Sequence, residues 1–117
     1  MEYIFVCYAG VNRSPIAVNI SENLARKYDI NNFNATSCGI AGLFSINPDS
    51  VRKRLNTADI IFALDQEVVS ELIKNKISSK KIYNLEIEDI YLIKEYPQLR
   101  EELERILTEK LEPFFIR

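Results

Sequence analysis

Residues 3–17 read YIFVCYAGVNRSPIA, and the fold turns on how they are read. Tyr3 to Cys7 is a short apolar run of β-type residues, suited to a strand buried on both faces. It delivers Cys7 into a small-residue loop. Arg13 follows six positions later, at the start of a helical pattern. Ser14 suits an N-cap and Pro15 the first helical position. Ile16, Ile20, Leu24 and Tyr28 then recur every fourth residue, with Ala17 and Ala25 beside them, as on one face of an amphipathic helix.

Working outward, the pattern of apolar run followed by helix repeats. A second strand is expected over Phe33 to Cys38, followed by the loop GIAGLFSIN. Pro48 and Asp49 open a short helix, PDSVRKRLN, with Val51 and Leu55 inward. Ala58 to Leu64 is the strongest strand in the chain. A helix is expected from Gln66 to about Lys76, with Val68, Val69, Leu72 and Ile73 facing in and Asp65 as its cap. Lys81 to Ile87 reads as a fourth strand. Pro97 opens a last helix in which Leu99, Leu103, Ile106, Leu107 and Leu111 keep helical spacing to near Pro113. Strands alternating with helices predict an α/β domain with a parallel sheet and right-handed crossovers. Ligands of such sheets sit at the carboxyl ends of the strands. Cys7, Cys38, Asp65 and the segment after Ile87 should therefore share one rim.

A chain of 117 residues is expected to form a single domain, 1–117. Its net charge of −2 gives no whole-molecule reason to expect nucleic acid, so any anion site must be local. No apolar stretch reaches the roughly 18–20 residues that span a bilayer, and the N-terminus lacks a signal-peptide pattern. With two cysteines and no C-x2-C pair, a disulfide framework is not expected and a cytoplasmic setting is. The chain has no histidine. That removes a His base, a Ser-His or Cys-His pair and a His-ligated metal, and leaves acid–base work to Asp, Glu, Cys, Tyr or Lys.

The C-x5-R spacing of Cys7 and Arg13 suits one kind of chemistry. Tyr8, Ala9, Gly10, Val11 and Asn12 can wrap so that successive N–H groups point inward, making an anion-binding concavity that runs into a helix N-terminus. Ala9 and Gly10 permit close backbone approach. The planar fork of Arg13 can grip two oxygens of a tetrahedral anion, which Lys cannot reproduce. The same positive environment favours a thiolate at Cys7, to which the Ser14 hydroxyl can donate.

On these residues the chain resembles the low-molecular-weight protein tyrosine phosphatases and their small bacterial relatives. Val6, Cys7, Arg13, Ser14 and Pro15 match that family's V-C strand end, its C-x5-R-S loop and the Pro that opens its helix. Ser37-Cys38-Gly39 stands where the family has S-A-G, and ADIIFALD (58–65) resembles its strand ending in Asp. IEDIY (87–91) resembles I-E-D-P-Y-Y, whose Asp is the general acid.

The resemblance implies a three-layer sandwich with a four-stranded parallel sheet of order 2-1-3-4. It implies Cys7 as nucleophile, Arg13 as phosphate ligand and Asp89 as acid, with no metal or other cofactor. Tyr91 and Phe44 fall at the pocket wall, and the substrate is a phosphorylated protein or a small phosphoester. Glu86, Glu88 and Glu95 compete with Asp89, Glu88 most closely. The sequence departs from the pattern at Gly10 (usually Asn, which locks the loop), at Ile90 (usually Pro) and at Asn12 (often Cys). Neighbouring first and second strands would also bring Cys7 and Cys38 to adjacent strand ends, where a reversible disulfide shielding the nucleophile comes into question. Three rival readings remain at this point: an inactive oxyanion-binding module, a thiol-dependent arsenate reductase, and a phosphocarrier that needs neither Arg13 nor Asp89.

Overall fold

The computed structural model describes residues 1–8, 13–40, 47–87 and 97–116. Four parallel strands form one sheet: β1 (Glu2–Cys7), β2 (Asn34–Gly39), β3 (Ile60–Ala63) and β4 (Ile82–Asn84), in the order β2-β1-β3-β4. The helices are α1 (Arg13–Lys27), α2 (Pro48–Asn56), α3 (Gln66–Lys74) and α4 (Leu99–Leu111), with a 3-10 turn before β4 and another after α4. The 2-1-3-4 order and the α/β class are those expected from the sequence.

Strand alternation sorts β1 into two faces. Tyr3, Phe5 and Cys7 pack with Phe62 and Leu64 against α1 and α4, through Ile16, Ala17, Leu24, Leu103, Leu107 and Leu111. Ile4 and Val6 pack with Ile61, Ala63 and Cys38 against Leu55 of α2 and Val68 and Leu72 of α3. The sheet is therefore covered on both sides, which is why β1 and β3 read as continuous apolar runs. An aromatic group stitches the first face to the chain end. Phe5 stacks on Phe62 with ring centres 4.9 Å apart, and Phe114 meets Phe62 edge-on at 5.0 Å.

The chain leaves β1 for β2 on one side and later returns past β1 to β3 on the other. The order thus reverses around β1, and in open α/β sheets the crevice at such a switch is where ligands bind. The residue that ends β1 there is Cys7.

Several boundaries differ from expectation for local reasons. Helix α1 already includes Arg13, so Ser14 lies within the helix rather than capping it. β3 is shorter than 58–64, because Ala58 and Asp59 still belong to the turn leaving α2, whose N–H groups bond Leu55 and Glu2 carbonyls. α3 stops at Lys74, with Asn75 as its C-cap and Lys76 at φ 69° just beyond. Ile73, expected to face in, is about half exposed on the outer side of α3. β4 keeps only Ile82–Asn84 of the predicted 81–87, since a 3-10 turn takes Lys81 and the ladder is interrupted at Glu86. Among the described residues no helix is long and apolar enough to cross a membrane.

Candidate active site

Cys7 ends β1, and α1 opens at Arg13 and Ser14, so that Ser14 comes to the strand end although it is seven residues further along the chain. The Cys7 thiol is buried, and its Sγ lies 3.0 Å from the Ser14 Oγ. Ser14 has no solvent exposure. It reaches the sulfur because the first turn of α1 starts directly behind the strand end. A hydroxyl there can donate to a thiolate and hold it in place.

Arg13 is only 2% exposed. Burying a guanidinium is tolerable only where its charge and N–H groups are met. Its Nη1 donates to Asp65 Oδ2 at 2.7 Å and to the Ile87 carbonyl at 2.6 Å. Asp65 ends the β3 segment and Ile87 follows β4, so two strand ends to one side of β1 fix the arginine. Asp65 also accepts from the Val68 N–H through Oδ1, at 3.0 Å, as the N-cap of α3. The capping role was legible from the sequence; the ion pair with Arg13 was missed. The signal available was an acid at a strand end on the rim that carries Arg13.

The chain around Ile87 is also held. The N–H groups of Leu85 and Ile87 donate to the Ala63 and Leu64 carbonyls at 2.8 and 2.7 Å. Lys110 of α4 donates to the carbonyls of Leu85 and Glu86 at 2.6 and 3.1 Å. Nothing in the linear pattern singled Lys110 out.

The register settles the relation of the two cysteines. Cys7 stands opposite Gly39, and Cys38 opposite Val6. Because side chains alternate along a strand, this one-residue offset sends Cys7 to the α1/α4 face and Cys38 to the α2/α3 face. The two thiols sit in separate core layers, and a disulfide between them does not fit this packing. Both cysteines are present as thiols. Burial pushes the Cys38 thiol above its ordinary value of 9.0, Cys7 adding to the rise and Arg54 opposing it.

Of the other expected site residues, Tyr8 is in view, about half exposed directly beyond Cys7. Ala9, Gly10, Val11, Asn12, Phe44, Asp89 and Tyr91, and the rival acid Glu88, lie outside the described residues. Arg52 donates to the Asn75 carbonyl and Arg54 to that of Ser37, while Lys53 is exposed. A cavity of about 370 Å³ lined by Glu22, Arg26, Asp29 and Phe33 lies at the far end of α1, away from Cys7.

No family model matches the chain, and no curated protein matches it in sequence. Solved structures do. A protein tyrosine phosphatase from Entamoeba histolytica superposes with a TM-score of 0.75 over 96% of this chain and 92% of its own, at 19% identity. The low-molecular-weight protein tyrosine phosphatase of Bacillus subtilis gives 0.69 over 97% and 98%, at 20% identity. A mutant of the YwlE arginine phosphatase with a phosphorylated active-site serine gives 0.65 over 97% and 94%, also at 20%. The chain therefore has the fold of the low-molecular-weight protein tyrosine phosphatases along nearly its whole length.

Proposed function

We propose that the chain, as one domain over residues 1–117, is a cysteine-dependent phosphomonoester hydrolase of the protein-tyrosine-phosphatase type. The observation that carries the reading is the pairing of a buried thiol, 3.0 Å from the Ser14 hydroxyl, with a buried arginine. Asp65 and a backbone carbonyl hold that arginine through one nitrogen. An arginine buried and anchored in this way presents a fixed cation beside a nucleophile at a strand-end crevice. Fixed charge of this kind is what stabilises a transferring phosphoryl group.

In the proposed reaction the Cys7 thiolate attacks phosphorus, while Arg13 and the N–H groups of the 8–12 loop hold the non-bridging oxygens. The bond to the leaving oxygen breaks, and that oxygen takes a proton from Asp89. The Asp89 carboxylate then removes a proton from water, whose oxygen attacks the phosphocysteine. The S–P bond breaks with its electron pair returning to sulfur, and inorganic phosphate leaves. Each step uses groups of the chain itself.

The substrate is proposed to be a phosphorylated protein, with phosphotyrosine favoured, and the setting a reducing cytoplasm that keeps Cys7 as a thiol. Turnover of p-nitrophenyl phosphate by the purified protein, unchanged by EDTA and abolished in Cys7→Ser with vanadate binding kept, is the expected result. Retained turnover in Cys7→Ser would remove the mechanism. Parallel assays on phosphotyrosine and phosphoarginine peptides separate the two activities described for proteins of this fold. Asp89→Asn is expected to lower kcat most for poor leaving groups; that signature at Glu88 instead would move the acid there.

A further inference from the structure

We propose that Lys110, in the last turn of α4, is a positioning residue for Arg13, acting through the backbone of residues 85–87. The proposal rests on reading the Cys7–Arg13 crevice as an oxyanion pocket.

The β3–β4 ladder does not continue regularly past Asn84. In regular parallel pairing, alternate N–H groups on one strand reach alternate carbonyls on the next. Here the Leu85 N–H reaches the Ala63 carbonyl and the Ile87 N–H reaches that of Leu64. Two steps on one strand answer one step on the other, so Glu86 is an extra residue, a bulge. Its φ is 55°, in the left-handed region that a non-glycine residue enters at a cost. Its N–H turns to the Asn84 side chain at 2.8 Å instead of to a neighbouring strand.

A bulge in this conformation persists when its surroundings over-determine it. Two cations do so here by taking three successive carbonyls. Lys110 Nζ holds those of Leu85 and Glu86, and Arg13 Nη1 holds that of Ile87. Leu85 and Ile87 are buried in the same core layer as Leu107 and Leu111 of α4, so the segment is clamped by apolar packing and by charge-assisted bonds together. Lys110 is also favourably placed as a cation in the last turn of its helix. The Ile87 carbonyl is one of the two anchors named above for Arg13 Nη1. Whatever fixes residues 85–87 therefore fixes where the guanidinium stands.

The test uses the full chain with Lys110→Met, Lys110→Gln and Lys110→Arg. Three quantities are read: inhibition or binding by vanadate and inorganic phosphate, thermal midpoint, and hydrogen exchange at the Ile87 amide. Lys110→Met is expected to weaken vanadate binding roughly fivefold, with Lys110→Arg restoring it to within about twofold. Exchange at Ile87 should rise in Lys110→Met while that at Phe62, inside β3, stays at the wild-type level. If Lys110→Met does not fold, Lys110→Gln, which keeps an N–H donor without the charge, is expected to show a smaller loss of the same kind. Combined with Asp65→Asn, which weakens the other anchor, the loss should exceed the product of the two single effects.

A Lys110 variant that melts earlier yet binds vanadate like wild type would show a purely structural role and overturn the proposal. Failure of the wild-type protein to bind vanadate or phosphate would instead overturn the oxyanion reading of the site, and this inference with it.

Discussion

The Asp65–Arg13 pair gives the sharpest quantitative test, because one carboxylate performs two separable jobs. Oδ2 meets the buried guanidinium at 2.7 Å and Oδ1 caps α3 at 3.0 Å. Removing one partner of a fully buried ion pair costs about 3–5 kcal/mol. Asp65 keeps 23% side-chain exposure, so water partly replaces it and about 2 kcal/mol is the appropriate figure. Asp65→Asn removes the charge but keeps a capping oxygen; Asp65→Ala removes both and adds about 1 kcal/mol. At roughly 2.1 cal/mol/K per residue, a chain of 117 residues loses about 4 °C in Tm per kcal/mol. The expected shifts are therefore about −8 °C for Asn and about −12 °C for Ala. The assay is thermal unfolding by circular dichroism with and without saturating vanadate, alongside kcat/KM on p-nitrophenyl phosphate. The activity loss should be roughly tenfold or more in both variants, and nearly equal, since both release the same guanidinium. If Asn melts with wild type while Ala does not, the carboxylate is only a cap and the anchoring argument fails.

Arg13→Lys should lose about 100-fold or more in kcat/KM, because an ammonium cannot reproduce a planar two-point grip; a loss under about fivefold would argue against bidentate phosphate binding. Ser14→Ala removes the hydroxyl 3.0 Å from the sulfur and should lower kcat about tenfold with KM little changed. Unchanged kcat there would show that the thiolate needs no such donor. At alkaline pH the expected trend follows from the buried thiol. Well below pH 9.0 folded and unfolded Cys38 both hold their proton, and this thiol adds no pH dependence. Above it the unfolded thiol ionises first, so stability falls as pH rises toward the higher folded value. Tyr3, held above its ordinary 10.0 by burial and by Asp59, adds a second decline beyond that. Urea midpoints from pH 7 to 10.5 should show the first decline vanish in Cys38→Ala, and an identical slope in both proteins would refute the assignment.

The layered architecture was legible because burial leaves a periodic mark. Tyr3 to Cys7 and Ala58 to Leu64 are apolar throughout since both faces of the sheet are covered, and α1 carries its inward face at helical spacing. Boundaries were less legible where backbone hydrogen bonds, not side chains, decide them. β4 reads as a long apolar strand in LEI, but Glu86 breaks its ladder with a left-handed φ that no composition rule demands. Ile73 was misplaced for a related reason: α3 buries a narrow stripe through Val68 and Leu72, and the outer edge of that stripe faces solvent.

The sequence by itself determined the setting of Cys7. A strand ending in Cys7 and a helix opening at Arg13 lie six residues apart in the chain, close enough for the helix start to stand behind the strand end. It also determined that Asp65 caps α3, since the cap and its N–H are three residues apart. Only the tertiary structure decided what stands behind Arg13. Its anchors are 52 and 74 residues away, and Lys110 reaches back 25 and 24 residues to the Leu85 and Glu86 carbonyls just before the second of them. Such contacts depend on strand order and register, which no local pattern encodes. The same register separated Cys7 from Cys38, because a shift of one residue along a strand places a side chain on the opposite face of the sheet.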